Sequence, residues 1–437
     1  MQKSSIQYIL KLSIPIFFAN LAIPMVGIID TALMGNLGSL SYLSATSVAA
    51  NLFSMIFWSF GFLRMGTVGM VSQANGRNDY TEILNIVVRN LLFVLAISIT
   101  IILLQNLILS LSLKIFDLSE ATRNLYEQYF KIRVYSAPGE LILYIITGLF
   151  VGLQKTKTSS FAVGFFSLLN ILISIVLVTI FDLNIKGVAY GTFFSALITS
   201  SIFLFYTFFY LSKFTKIKID FGQVLNLNKI KDIFDINLDI FIRTILVTFS
   251  FLWFTYLGTQ IGEDYVAANA ILINLVFLSA FILDAYAFST EGIVGYSLGK
   301  KDLNLFKNIV KNSFILSSLS GLIISIIYFF SYEYVINLIS DLEEIRKLSS
   351  SYVIWLIILP LISSFCYQFD GIFIGASQTK ELRNAMVFSV LSYLIISIVL
   401  TKLLFNNGIW ISLCIFMVLR GLSLFYYINK IYLRFKS

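Results

Sequence analysis

About twelve apolar stretches of roughly twenty or more residues follow one another along this chain, each long enough to cross a hydrocarbon core of roughly 30 Å as a helix. That succession leaves few folds open. A segment inside lipid has no water to bond its backbone, so it must close its own hydrogen bonds, and runs of this length do so as helices. Of 437 residues 58% are hydrophobic, 12% are charged and 42 are phenylalanine, which leaves no room for a sizeable soluble domain. The expected spans are 6–35, 43–74, 84–112, 121–152, 158–181, 185–211, 236–259, 265–297, 305–332, 346–376, 380–404 and 407–430. The opening MQKSSIQYILKLSIP lacks a small-residue cleavage site and runs into a full span, so it reads as part of the first helix rather than as a signal peptide.

A net charge of +8 invites a nucleic-acid partner, but its distribution argues for membrane topology instead. Arg77, Lys155, Lys157, Lys213, Lys300, Lys380 and Lys430 fall in the even-numbered loops and at the C-terminal end, whereas Asp117, Glu120, Asp182, Glu263 and Asp341 lie in the opposite loops. The positive-inside rule then sets both termini in the cytoplasm, as for a protein of a bacterial inner membrane. The chain contains no histidine, which excludes Ser-His-Asp catalysis and histidine zinc sites. Its two cysteines, Cys366 and Cys414, offer no metal or disulfide spacing. A membrane enzyme therefore lacks its usual parts, and no cofactor is expected.

The chain repeats itself. TVGMVSQANGRND, from Thr67, matches TEGIVGYSLGKKD, from Thr290, at an offset of 223 residues, and GLFVGLQKTK, from Gly148, matches GIFIGASQTK, from Gly371, at the same offset. A third pair, VVRN at 87–90 and IVKN at 309–312, needs a slip of one. The implied unit is six helices, duplicated. An even number of spans returns the second copy in the same orientation, so the expected fold is an all-α membrane protein of twelve transmembrane helices in two six-helix lobes, related by a pseudo-two-fold axis along the membrane normal. The first lobe is taken as 1–211, the cytoplasmic linker as 212–235 and the second lobe as 236–437. Duplication of this kind favours a transporter without naming its cargo.

Ionisable side chains at membrane depth are costly, and each is a candidate site or a structural ion pair. Asp30 is the foremost. It lies five residues before Gly35 at the end of the first span, below which Pro15 and Pro24 each remove a backbone hydrogen bond and can act as hinges. A carboxylate there can bind and release a proton, or ligate a hard cation through oxygen; a fixed pair with a lysine or arginine is the alternative. In the fifth span Asn170 and Ser174 are four apart and share a face, and Thr192 lies in the sixth; such residues also serve simply to join helices. In the second lobe Asp284 and Glu291 share one helix face and Tyr367 and Asp370 another, with Arg243 and Arg420 able to neutralise two of the acids. That set is either a static network or a cation or drug site. Arg64, and Arg133 with Glu140 flanking Pro138, are assigned to structure.

Several stretches together carry a family likeness: Pro15 in IP fifteen residues before Asp30 of DTALMGNLG, LRMGTVGMVSQANG, LNILIS, KGVAYGT, LGTQIG with YVAANA, EGIVGYSLGKKD, and DGIFIGASQTKELRNAM. Over essentially its whole length the chain resembles the multidrug and toxic compound extrusion (MATE) family, and within it the damage-inducible, DinF-like bacterial branch. The resemblance implies a proton- or sodium-coupled antiporter that expels organic, often cationic and amphipathic, compounds through a cleft between two lobes. It also implies that Asp30 is the cation-responsive residue of the first lobe. The family's sodium site there adds an asparagine and an aspartate four apart on the fifth helix and a threonine on the sixth. Asn170 and Thr192 match, but Ser174 stands where the aspartate is expected. With one carboxylate instead of two, proton coupling through Asp30, Asn170, Ser174 and Thr192 is preferred, and a weak Na⁺ site at Asp30, Asn170 and Thr192 is the alternative. The expected partners are small organic molecules and the lipid bilayer, with the protein a monomer. The rival function is a lipid-linked saccharide flippase of the same superfamily, whose members usually carry extra spans and a more basic cavity.

Overall fold

The computed structural model describes residues 5–217 and 221–436, and every regular element among them is helical. Helix α1 (Ile6–Gly35) stays helical through both of its prolines. The expected span 43–74 is two helices, α2 (Leu40–Ser59) and α3 (Phe62–Gly76), parted at Phe60 and Gly61, where glycine is a poor helix former. The next divides likewise into α4 (Tyr80–Leu103) and α5 (Gln105–Ile115). In the fourth, α6 (Glu120–Arg133) tightens into a 3-10 turn over Val134–Ser136 before α7 (Ala137–Gly152). Pro138 explains the break, because it has no N–H to continue the α6 ladder yet suits the first turn of α7. Helices α8 (Thr156–Thr179) and α9 (Asn184–Ser212) follow, and then the short α10 (Phe221–Val224). Arg89 of α4 holds that short turn, donating to the carbonyls of Gln223 and Val224 at 3.2 Å each.

Helix α11 (Leu227–Thr259) begins nine residues before the apolar run at 236: in LNKIKDIFD the charged Lys229, Lys231, Asp232 and Asp235 break up the apolar pattern, while Leu227 and the two lysines favour helix. Helices α12 (Glu263–Gly299) and α13 (Leu303–Ile339) lead to the short α14 (Glu343–Ser351) and to α15 (Val353–Gly375), which contains Pro360. The last element, α16 (Thr379–Leu433), counts 55 residues and is interrupted at Phe405, whose φ of 51° and ψ of −132° are not helical. The chain folds back there: a Cβ on Gly408 would run into the carbonyl oxygen of Leu400, an approach no straight helix permits. With α2 and α3 taken together, and α6 and α7 likewise, eleven helical stretches among the described residues are long and apolar enough to cross a membrane.

The helices form two compact units, Phe18–Phe234 and Asp235–Ser437, the latter including the chain up to Phe17. Helix α1 is thus divided between them. Its early stripe of Ile9, Leu12, Ser13 and Ile16 is buried at helical spacing in the second unit, where the hydroxyls of Ser13 and Ser289 share a hydrogen bond of 2.8 Å. In the first unit Phe150, Leu149 and Phe203 anchor the apolar core; in the second, Trp410, Phe254 and Phe416 do.

The duplication is visible in the backbone. Helices α4 and α13 begin at Tyr80 and Leu303, and α8 and α16 at Thr156 and Thr379, in both cases 223 residues apart. Ahead of α4 and α13 stand Asn78 and Lys301, with φ of 59° and 57°. Each is followed by an aspartate that caps the helix: Asp79 accepts from the Glu82 N–H and Asp302 from the Leu305 N–H, both at 2.9 Å. The glycines repeat too. A Cβ on Gly148 would lie 2.6 Å from the Arg64 carbonyl oxygen, and one on Gly371 would lie 2.6 Å from that of Ala287, so both let a helix backbone approach closely.

Candidate functional site

Two clusters of buried charge hold the side chains of interest, one in each unit. In the first unit Asp30 of α1 is 9% exposed, and its Oδ1 is buried without a hydrogen bond. The charge within electrostatic range of it is Arg133, at the C-terminal end of α6. Arg133 is itself engaged elsewhere. Its Nη1 donates to Oε1 of Glu140 and its Nη2 to Oε2 at 3.2 Å, while Ser136 donates to the same carboxylate at 2.7 Å. The guanidinium lies 5.2 Å from the ring centre of Phe53 and 5.1 Å from that of Phe57 on α2, where flat aromatic faces favour a delocalised cation. Tyr129, one turn back on α6, hydrogen-bonds Arg133 and lies in range of both Asp30 and Glu140. Arg133, Ser136 and Glu140, spaced three and four residues apart, fall on one side of the segment, and the pair of Arg133 with Glu140 spans the 3-10 turn.

Asn170, Ser174 and Thr192 also come together. The Asn170 Nδ2 donates to the Thr192 hydroxyl at 3.0 Å, and the Ser174 hydroxyl donates to Asn170 Oδ1 at 3.3 Å. All three are buried where α8 meets α9, and Gly191 makes the approach possible, since a Cβ there would collide with the Ser174 hydroxyl. Their oxygens are thus committed to one another, whereas the charged group in range of Asp30 is Arg133. Pro15 and Pro24 sit within the continuous α1, and the division between the units falls two residues after Pro15.

In the second unit Asp370 of α15 is gripped by two guanidiniums. Arg420 of α16 donates from Nη2 to Asp370 Oδ2 at 2.7 Å, and Arg243 of α11 donates to the same oxygen. Asp370 Oδ1 and the Nε atoms of both arginines are buried with no hydrogen-bond partner. Arg420 also lies 5.9 Å from the Tyr367 ring centre, and Asp284 of α12 is in electrostatic range of Tyr367 and Cys366. Glu291, two turns along α12 from Asp284, is buried beside Gly375 of α15, whose missing Cβ makes room for the Glu291 backbone. Of the second-lobe residues singled out by sequence, Arg243, Tyr367, Asp370, Asp284 and Arg420 therefore gather. A pairing of two cations on one carboxylate oxygen can serve structure, and it leaves donors and an acceptor unused.

Sequence reasoning placed Arg133 and Glu140 outside the site. The available signal was their spacing of seven around Pro138, which describes a pair across a helix break; nothing in the order of residues says that Asp30, some hundred positions earlier, lies in range of that pair.

A profile of the MatE family matches residues 15–176 and then, separately, 240–422, one match to each copy of the repeat. DNA damage-inducible protein F of Escherichia coli strain K12 is 31% identical over 424 residues, covering 96% of this chain and 91% of that protein. The multidrug export protein MepA of Staphylococcus saprophyticus is 22% identical over 312 residues, 71% of this chain and 68% of its own. Among solved structures, a crystal structure of a MATE protein in complex with MaD5 superposes with a TM-score of 0.88 at 16% identity, covering 100% of this chain and 98% of that one, and so shows the same fold.

Proposed function

The chain belongs to the MATE family of membrane exporters, and on that premise we propose that it is a proton-coupled antiporter that exports organic, often cationic and amphipathic, compounds by alternating access. In this reading α16 is two spans, which gives twelve in two sets of six, in a bacterial inner membrane with both termini cytoplasmic. No enzymatic step is involved. The observation that carries the coupling assignment is Asp30 itself: a buried carboxylate with an unbonded oxygen, on a helix that bears two prolines. A group so placed changes its interactions with its charge, which is what a coupling residue must do.

The repeat adds support. The position in the second unit that corresponds to Asp30 is Trp253, and its Nε1 donates at 2.9 Å to Ser397, which corresponds to Ser174. The duplicated geometry is consistent with Asp30 and Ser174 as facing positions. Proton rather than sodium is preferred because Asn170, Ser174 and Thr192 already satisfy one another, so a sodium ion would have to displace those bonds.

The test is ethidium efflux from proteoliposomes, driven first by an imposed pH gradient and then by a sodium gradient. Wild type is expected to respond to the pH gradient, and Asp30→Asn to lose efflux entirely while still inserting and purifying. Efflux driven by sodium alone would overturn the proton assignment, and an Asp30→Asn protein that pumps normally would remove Asp30 from the mechanism.

A further inference from the structure

The guanidinium of Arg133 has two carboxylates within range. It is bound to Glu140 by both of its arms, and that carboxylate also accepts from Ser136. Asp30 is the other, with its Oδ1 buried and unbonded. Tyr129 bonds the guanidinium and senses both acids. Arg133 is the last residue of α6, immediately before the 3-10 turn and Pro138, so a change in its direction need not break a continuous helical ladder. Phe53 and Phe57 lie beside the guanidinium but offer its N–H groups no oxygen, so those groups are left to the carboxylates.

We propose that Arg133 exchanges carboxylate partners: it rests on Glu140 while Asp30 holds its proton and turns to Asp30 once that proton has left, making it the positioning residue that couples Asp30 to the break between α6 and α7. This rests on the reading of Asp30 as the proton-carrying residue. The proton passes from the Asp30 carboxyl to solvent, and Arg133 remains a cation throughout. The charged and titratable groups facing one another here are Asp30 from α1, Arg64 from α3, Tyr129 and Arg133 from α6, and Glu140 and Tyr144 from α7. Two acids therefore stand against two guanidiniums. When Arg133 leaves Glu140, that carboxylate keeps the Ser136 hydroxyl, and Arg64 is a second cation beside their shared neighbour Tyr144. An exchange between two such arrangements avoids leaving a buried charge alone, which is the costly alternative. Because each arrangement satisfies one acid at a time, loss of a single proton is enough to bias between them.

Proton release on ethidium binding, read with an indicator dye in weakly buffered detergent solution, tests the exchange, with fluorescence anisotropy reporting the binding itself. Wild type is expected to release a proton as ethidium binds. Glu140→Gln removes the resting partner and commits Arg133 to Asp30, so ethidium should still bind, within about threefold of wild type, while proton release falls about fivefold or more. Arg133→Lys, which keeps the charge but not the fork, should give an intermediate release. Should Glu140→Gln not fold, Arg133→Gln combined with Glu140→Gln removes both charges together, and release should be present in that protein because no guanidinium holds Asp30 ionised. Full proton release from Glu140→Gln, or none from the double variant, overturns the exchange. Asp30→Asn separates the two ideas: if it releases protons as wild type does, it is the coupling role of Asp30 that fails.

Discussion

Lys301 turns the chain in the second unit as Asn78 does in the first, and the aspartates that follow cap their helices at the same distance. Gln154 and Ser377, again 223 apart, take left-handed φ values of 59° and 51°. The charged interior obeys no such rule. Thr147 occupies the position of Asp370 and Asn20 that of Arg243, at the offset of 223, and Thr199 that of Arg420, where Asn184 and Phe405, both at positive φ, set an offset of 221, while Leu356 and Ser363 stand where the first unit has Arg133 and Glu140. Two copies of one backbone thus carry two unrelated sets of buried charge. Tight turns and close helix contacts are dictated by backbone sterics, which are the same in both copies. A buried ion pair is specified only by its partners, and each copy acquired its own.

The largest expected effect breaks that asymmetry at its sharpest point. Asp370→Asn leaves Arg243 and Arg420 buried against a neutral group and should cost about 3–5 kcal/mol of stability, whereas Thr147→Val at the matching position removes one hydroxyl bond to the Leu143 carbonyl and should cost about 1 kcal/mol. Thermal unfolding of the two proteins in detergent compares them directly; equal losses would contradict a charge cluster confined to one unit. Next come the paired glycines. Gly148→Ala and Gly371→Ala each drive a methyl into a backbone carbonyl oxygen, so each should lose about 1–3 kcal/mol and the two should agree. A marked difference would mean that the two contacts are not copies in energy.

The smallest effect concerns the caps. Asp79→Ala and Asp302→Ala should each cost about 1 kcal/mol, measured in the same way. For Asp302 the sign with pH is fixed: the Leu305 N–H, and then the Lys300 side chain, hold its carboxyl below the usual carboxylate value. Its contribution is therefore complete above about pH 4 and is lost as pH falls through the lowered value, so Asp302→Ala should flatten the acid limb of a melting-temperature profile.

The membrane fold and the repeat were legible because both are written in long stretches. Apolar runs mark the spans, and Asp79 and Asp302 recur in motifs that fold alike. The interruptions at Gly61 and Val134–Ser136 and the early start of α11 at Leu227 were not, since hydropathy registers greasiness and not whether a polar turn is helical. At the candidate site Asp30, Asn170, Ser174 and Thr192 stood out by residue type and spacing. The place of Arg133 near Asp30 did not, because contacts between helices far apart in sequence leave no periodicity to read.

The division of α1 at Phe17 has a consequence for how the protein is made. Ser13 leaves the ribosome 276 residues before the Ser289 it will bond, a lag of about 15–55 s at ordinary rates of synthesis. For that interval the stripe of Ile9, Leu12 and Ile16 has bilayer for company, or whatever insertion machinery attends the nascent chain. The early half of α1 is therefore among the segments whose final packing must wait for the second half, and the second unit cannot be completed from its own half of the message.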